Sequence, residues 1–219
     1  MKLAGRAARR WLLATTLGLA ECILSRSGDP ARAATPVMIG SKQFTESVVL
    51  GELATALVRT SGSSAEHRSQ LGGTQVLWNA LVQGEIDLYP EYTGTLEQEI
   101  LQGEGVRGEA ELRRALASYG VVMSRPLGFN DTYALGMKAA RAQALGIRSI
   151  ADLRQHSELR FGFTNEFMDR ADGWPGLRAR YGLPQEEVRG LDHDLAYRGL
   201  DAGTLDVTDL YSTDADISY

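Results

Sequence analysis

Six short segments of this sequence mix aromatic, charged and hydroxyl side chains at points where a strand is predicted to end. They are Gly40–Glu46, Leu71–Thr74, Tyr89–Thr95, Phe129–Leu135, Asn165–Arg170 and Asp209–Asp214. Loops that a rigid scaffold holds in place are where binding residues concentrate. The segments therefore predict a binding site that is assembled from several loops.

No arrangement typical of catalysis accompanies these segments. The sequence contains neither GxxxxGK[ST] nor GxGxxG, so it indicates no phosphate-binding loop. No serine has a histidine and an aspartate at the spacing of a nucleophile motif. His193 lies between Asp192 and Asp194, which suggests a metal ligand but is more typical of a solvated turn. We therefore expect a protein that is not an enzyme and that holds no cofactor or metal.

An alternation of strands and helices must position the six segments. A strand is predicted at Pro36–Gly40, and a helix that begins near Thr45 follows it. The buried stripe of that helix is predicted to be Val49, Leu53, Ala56 and Leu57. The alternation continues to a last strand near Asp206–Leu210, which predicts an α/β fold with a mostly parallel sheet.

The connector Arg125–Gly128 divides this alternation into two units. We therefore expect two α/β lobes, residues 35–127 and 128–219, with a cleft between them. Ligands of such folds bind at the carboxyl ends of the strands, where the six segments lie.

The charge of the chain excludes one class of partner. Six of its 23 basic and two of its 28 acidic residues lie in the first 34 positions, which leaves 17 and 26, a net charge of −9. Nucleic-acid binding requires a basic face. We therefore expect no nucleic-acid partner.

The first 34 residues are typical of an export signal. Four basic side chains lie within the first ten residues, the apolar run Trp11–Ala20 follows, and Ala31–Ala33 fits a cleavage site. The run is too short to span a membrane. Cys22 is the only cysteine, and Glu21 stands where a lipoprotein signal requires a small residue, so we expect no lipid anchor. We predict a signal peptide at 1–34 and a periplasmic protein without cysteine chemistry.

Four motifs carry a family resemblance. GSKQFTE, LGGT, DLYPEYTGT and the EFxxR segment occur in one order and spacing. From about Val37 to the last residue, the chain resembles the osmoprotectant substrate-binding proteins of ABC importers, the glycine betaine, choline and carnitine family. The resemblance implies a two-lobed periplasmic-binding-protein fold of type II that closes on its ligand and docks on an ABC permease. Members of this family continue for several tens of residues beyond the equivalent of Tyr219, so we expect a C-terminally truncated fold; we also expect a monomer.

The resemblance also implies an aromatic cage. A quaternary ammonium cannot donate hydrogen bonds, and an aromatic face attracts it by about 0.5–2 kcal/mol per ring. Carried over by motif position, the cage residues are Tyr92, Tyr133 and Tyr211, and Asp131 adds negative potential near the cation. Tyr92 and Tyr89 also fit a sheet-edge pair, and Tyr133 also fits a core position.

A second group of residues falls at the positions for the carboxylate of a betaine. It consists of Lys42, Thr95 and Arg170, which offer cationic and hydroxyl donors. Glu166 precedes Arg170 by one helical turn, so it can orient the guanidinium; a plain ion pair between the two on a helix face is the alternative. Glycine betaine is the first candidate ligand, with choline, carnitine and proline betaine as others. A ligand-sensing or inactive module is the alternative function, and an enzyme on a two-lobed scaffold is a weaker one.

Overall fold

The computed structural model of the protein describes residues 35–218. The predicted signal peptide at 1–34, with Cys22, lies outside the described residues. Within 35–218 no helix is long and apolar enough to cross a membrane.

Strands and helices alternate along the described chain. The strands are β1 (Val37–Lys42), β2 (Ala65–Gly72), β3 (Tyr133–Gly136), β4 (Gly162–Thr164), β5 (Arg189–Leu191) and β6 (Thr208–Tyr211). The helices are α1 (Thr45–Thr60), α2 (Thr74–Gln83), α3 (Thr93–Thr95), α4 (Glu109–Ser118), α5 (Ala139–Leu145), α6 (Asn165–Asp169), α7 (Trp174–Tyr181) and α8 (His193–Asp201). A π-helical turn (Leu96–Ile100) extends α3, and 3-10 turns occur at Ile150–Gln155 and Ala215–Ser218. The predicted α/β class is confirmed.

The first group of strands is parallel. β1 pairs with β2 in the register Val37–Ala65, and an irregularity after Gly40 brings Lys42 opposite Gly72. A parallel bridge joins Ile39 to Leu88 on the other side of β1. Carboxyl ends of parallel strands meet at one edge. This edge therefore collects the segments that begin at Gly40, Leu71 and Tyr89.

The second group of strands is mixed. β4 pairs with β5 in parallel, and a parallel bridge joins Phe161 to Val207 at the start of β6. β6 pairs with β3 antiparallel, with Tyr133 directly opposite Tyr211. The carboxyl ends of β4, β5 and β6 therefore share an edge with the first residue of β3.

The core of this second group is aromatic. Phe161, Phe163, Phe167 and Trp174 are each at most 6% exposed and pack together with ring centroids 5.1–5.7 Å apart. Burial of such large apolar rings stabilises a domain strongly. The core thus gives the strand ends of this group a rigid support.

The predicted buried stripe of α1 is wrong. Val49, Leu53 and Leu57 are 51%, 56% and 69% exposed, and Ala56 is exposed as well. The helix turns its small residues, Ser47, Gly51 and Thr55, to the sheet instead. A Cβ at Gly51 would stand 2.4 Å from Nε2 of His67, because the ring of His67 fills the space between α1 and β2.

The predicted connector lies in a stretch without regular structure. Residues 121–132 contain neither helix nor strand, and Arg125–Gly128 falls within them. The division into lobes 35–127 and 128–219 stays a prediction.

Candidate functional site

Rings from both groups of strands form one aromatic cluster. Phe44, which precedes α1, has its centroid 4.9 Å from Tyr211 and 6.0 Å from Tyr92. Tyr211 lies 5.3 Å from Tyr133, edge to face. The three tyrosines predicted for the cage are thus brought together, with Phe44 as the link between Tyr92 and Tyr211.

Strand geometry explains why these rings meet. Tyr133 and Tyr211 are a cross-strand pair of β3 and β6, so their side chains share a face of the sheet. Phe44 follows the end of β1, and Tyr92 follows the bridge at Leu88. The cluster therefore lies where the carboxyl ends of both groups of strands come together.

Two cationic side chains of the protein already lie near faces of these rings. The Nζ of Lys42 is 5.7 Å from the centroid of Tyr92, and the guanidinium carbon of Arg170 is 5.2 Å from that of Tyr133. Both distances are within the range of cation–π attraction. The rings of Tyr92 and Tyr133 are thus placed to accept a positive charge.

Lys42 lies in an ion pair that the sequence did not indicate. Its Nζ is 2.6 Å from Oε1 of Glu91 and donates to the hydroxyl of Thr74 at 3.1 Å, and both charged side chains are less than 10% exposed. Burial raises the pKa of nearby Glu99 above its ordinary value, although the charge of Lys42 works in the opposite direction. Lys42 therefore reaches the site with much of its charge balanced by Glu91.

Arg170 joins the two groups of strands. Its guanidinium donates to Thr95 Oγ1 at 3.1 Å and makes two hydrogen bonds to Asp172, at 2.9 and 2.8 Å. Burial by itself would lower the pKa of Arg170. The hydrogen bond and the charge of Asp172 outweigh burial and raise this pKa above its ordinary value. Thr95 and Arg170, which we predicted to hold one carboxylate together, are therefore in direct contact.

Asp172 holds the guanidinium in the place that we predicted for Glu166. Helix α6 ends at Asp169, and Arg170 has extended backbone angles, so its side chain leaves the helix surface. The carboxylate of Glu166 lies against Gly73 instead, with Oε1 2.7 Å from where a Cβ of Gly73 would stand. Glu166 thus contacts the LGGT segment across the site.

Acidic groups surround the cluster on the side of Tyr92. The hydroxyl of Tyr92 donates to Oε1 of Glu46 at 2.5 Å. Burial, together with the charge of Glu46, raises the pKa of Asp131, and hydrogen bonds from Thr213 and Ser212 oppose this rise. Asp131 and Glu46 also raise the pKa of Tyr92, after the larger effect of burial. Negative potential at this end favours a cation.

The three tyrosines predicted for the cage stay un-ionised at neutral pH. Burial is the largest cause that raises the pKa of Tyr92, Tyr133 and Tyr211 far above the ordinary value. An un-ionised phenol keeps the quadrupole that attracts cations. The site therefore presents stable neutral rings together with fixed charges around them.

Sequence reasoning missed two members of the cluster. Phe44 packs on Tyr211, and His193 stacks on the same ring with centroids 4.2 Å apart and an interplanar angle of 13°. The expectation of a solvated turn at His193 is wrong, because its side chain is 11% exposed. A signal was present: Asp192 precedes the amphipathic run Leu195–Leu200, which is typical of the start of a helix.

The chemistry available at this site is binding. Among residues 35–218 no group of three or more histidine, cysteine or acidic side chains is placed to hold a metal ion. Aromatic faces and acids can hold a cation, and Arg170 with Thr95 can donate to a carboxylate. The arrangement suits a ligand with a cationic and an anionic end.

Comparison with known proteins gives a family match over residues 35–219. The matching family is the substrate-binding domain of ABC-type glycine betaine transport systems. The ergothioneine transport permease/ergothioneine binding protein EgtU of Helicobacter pylori is 29% identical and covers 83% of this chain. The glycine betaine-binding protein YehZ of Escherichia coli is 28% identical over 74% of the chain, and a glycine-betaine-binding protein of Pseudomonas aeruginosa is 30% identical over 76%. The chain covers 34%, 57% and 58% of the lengths of these three relatives.

Solved structures agree on the fold. A crystal structure of a glycine betaine/carnitine/choline ABC transporter matches with a TM-score of 0.58 at 24% identity, over 83% of this chain and 71% of the other. Apo YehZ from Escherichia coli matches with a TM-score of 0.50 at 23% identity, over 84% and 72%. The expected fold, the two-lobed type II fold of periplasmic binding proteins, is therefore confirmed. The chain belongs to the substrate-binding family of ABC-type glycine betaine transport systems.

Proposed function

We propose that the chain binds a quaternary-ammonium osmolyte, with glycine betaine as the first candidate, and delivers it to an ABC permease from the periplasmic side of the membrane. It binds this ligand without converting it. The observation that carries the proposal is the pair of contacts in which Lys42 lies near the face of Tyr92 and Arg170 near the face of Tyr133. Rings that already attract the protein's own cations are suited to a ligand cation.

The ligand has two ends, and the site has two matching regions. The methylated ammonium contacts Tyr92, Tyr133 and Tyr211, and Asp131 adds attraction through its charge. The carboxylate accepts hydrogen bonds from Arg170 and Thr95, which are already joined at 3.1 Å. Lys42 adds positive charge, although Glu91 balances much of it.

Binding requires the rings to move apart. Phe44 and Tyr211 are 4.9 Å apart, whereas a cation between two rings needs each centroid within about 6 Å on opposite sides. Phe44 and Tyr92 belong to the predicted lobe 35–127, and Tyr133 and Tyr211 to the predicted lobe 128–219. A hinge motion between the lobes would open this contact and close it again on a ligand.

Calorimetric titration of the purified chain tests the proposal. The ligands are glycine betaine, choline, carnitine, proline betaine and ergothioneine, with glycine as a control that has the carboxylate but an ordinary ammonium group. Saturable binding of a methylated ammonium compound together with no binding of glycine is the expected result. A folded chain that binds none of the five compounds would overturn the proposal.

Ergothioneine belongs in this series because the Helicobacter pylori relative is named for it. Like glycine betaine, it carries a trimethylammonium group and a carboxylate, so the same two regions suit it. Tighter binding of ergothioneine than of glycine betaine would support the aromatic cage and would make ergothioneine the preferred ligand.

A further inference from the structure

His193 is an ionisable ring inside the aromatic cluster. It is the first residue of α8, and it lies almost parallel to Tyr211 at 4.2 Å. Phe44 meets it edge to face at 6.4 Å. His193 therefore contacts Tyr211, one of the three tyrosines proposed to hold the ligand cation.

Three carboxylates lie near His193, on α8, on β6 and in the loop after β6. Oδ2 of Asp214, in the loop after β6, is 2.9 Å from Nε2, and the two side chains are 11% and 13% exposed. Asp209 of β6 and Asp194 of α8 add negative potential from farther away. Tyr197 donates its hydroxyl to the same oxygen of Asp214. The acids are thus placed to stabilise a protonated ring.

Burial and the neighbouring carboxylates act in opposite directions on the protonation of His193. Burial opposes the charged form, but the hydrogen bond and charge of Asp214, with the charges of Asp209 and Asp194, outweigh it and raise the pKa of His193 above its ordinary value. The same contact, with the backbone N–H of Tyr211, outweighs burial at Asp214 and lowers the pKa of that carboxyl. Both shifts favour the ionised form of the pair.

The two ring nitrogens of His193 have different surroundings. Nε2 faces the Asp214 carboxylate and so carries a proton in either charge state, whereas Nδ1 is buried and has no hydrogen-bond partner among residues 35–218. Protonation therefore adds its proton at Nδ1, beside the stacked ring of Tyr211.

We propose that His193 makes the ligand site sensitive to pH, because its imidazolium, stacked on Tyr211, competes with a cationic ligand for this ring. This inference rests on the proposed function. A cation bound at the cluster repels the imidazolium, so binding releases the Nδ1 proton. Affinity for a quaternary ammonium then rises with pH as the free protein loses that proton, and levels off above the transition.

Calorimetric titrations of the full chain with glycine betaine at pH 5.5, 6.5, 7.5 and 8.5 test the inference. Each is run in two buffers of different ionisation enthalpy, which reports the protons released. We expect affinity to rise about tenfold from pH 5.5 to 8.5, which corresponds to a displacement of the histidine pKa by about one unit, with release of a fraction of a proton near the transition. A purely structural histidine would not release a proton on binding.

Variants assign the effect to His193. His193→Phe keeps a stacked ring and should remove the proton release and flatten the pH dependence above pH 5.5. His156→Gln is the matched control, because His156 lies outside the aromatic cluster, after the 3-10 turn, and pairs there with Glu158. This variant should show the same pH dependence and proton release as the parent chain. Asp214→Asn should move the transition to lower pH, and it serves as the second variant where His193→Phe does not fold.

The outcomes separate the two proposals. Betaine binding that is independent of pH and releases no proton overturns the role of His193 and leaves the proposed function standing. The same pH dependence in His193→Phe as in the parent chain also overturns it, because another group then titrates. Absence of betaine binding at every pH overturns the proposed function itself.

Discussion

Tyr92 and Tyr211 differ in how far each ring belongs to the core. Tyr211 is 7% exposed and lies within 5.3 Å of Phe44, Tyr133 and His193, so its replacement would disturb packing as well as binding. Tyr92 is only partly buried and has one ring neighbour, Phe44. A substitution of Tyr92 therefore measures the cation–π contribution to binding with less disturbance of packing than a substitution of Tyr211.

We expect Tyr92→Leu to weaken glycine betaine binding about threefold to thirtyfold, which corresponds to the loss of one ring contact of about 0.5–2 kcal/mol. Tyr92→Phe keeps the ring and should stay within about threefold of the parent chain. Calorimetric titration measures both variants, and circular dichroism checks that each is folded. Equal losses in the two variants would assign the effect to the hydroxyl bond with Glu46 instead of the ring.

Arg170→Gln should weaken glycine betaine by at least about tenfold, because a hydrogen bond between charged groups contributes about 1.5–3 kcal/mol. Choline has no carboxylate, so its affinity should change little, or rise as the guanidinium leaves the face of Tyr133. Parallel titrations with both ligands measure this. Arg160→Gln, which removes a half-exposed guanidinium paired with Asp206 away from the aromatic cluster, is the matched control. An equal loss for the two ligands would remove the carboxylate role of Arg170.

In α1, the hydrophobic pattern predicts the helix correctly but assigns its buried face to the wrong residues. Leu53 and Leu57 lie four residues apart, as a core stripe requires, yet both point to solvent. Helix periodicity was right, and the helix was confirmed over Thr45–Thr60. The choice of face depended on His67 of β2, whose ring lies against Gly51 of α1. The ring bonds to Ser41 and Glu52 at 2.9 and 2.8 Å. That contact joins residues 15 and 26 positions apart, which no local pattern can show.

Gly51→Ala should destabilise the chain by about 1–2 kcal/mol, although alanine favours a helix more than glycine does. The reason is the distance of 2.4 Å between the new Cβ and the ring of His67. Leu53→Ala, at an exposed site of the same helix, should change the free energy of unfolding by less than about 0.5 kcal/mol. Urea unfolding followed by circular dichroism measures both. A more stable Gly51→Ala variant would show that α1 approaches the sheet less closely.

At the scale of the whole molecule, the site is built by distant parts of one chain. The bond between Arg170 and Thr95 spans 75 positions, and Phe44 meets Tyr211 across a longer separation. A ligand held by both parts would stabilise the folded state as a unit, because the unfolded chain cannot assemble the same contacts.

Glycine betaine at 100 times its Kd should raise the free energy of unfolding by about 2.7 kcal/mol. For a chain of this size, Tm should rise by roughly 5–10 °C. Thermal melts with increasing ligand measure the shift. The Tyr92→Leu variant binds the ligand more weakly, so it should need correspondingly more ligand for the same rise in Tm. An unchanged Tm at saturation would show that the ligand does not bind the folded chain in preference to the unfolded chain.

Hydrophobic period and turn residues are local properties, so the alternation of strands and helices, and with it the α/β class, could be predicted from the residues alone. The family resemblance of the sequence motifs also predicts a set of site residues, which are Tyr92, Tyr133, Tyr211, Thr95 and Arg170. Only the tertiary structure decided which partners these residues have. The structure pairs Lys42 with Glu91 and Arg170 with Asp172, and it stacks His193 on Tyr211. These contacts arise because strand ends converge in space and because buried charges require opposite charges nearby. Spacing along the sequence does not show which residues meet in this way.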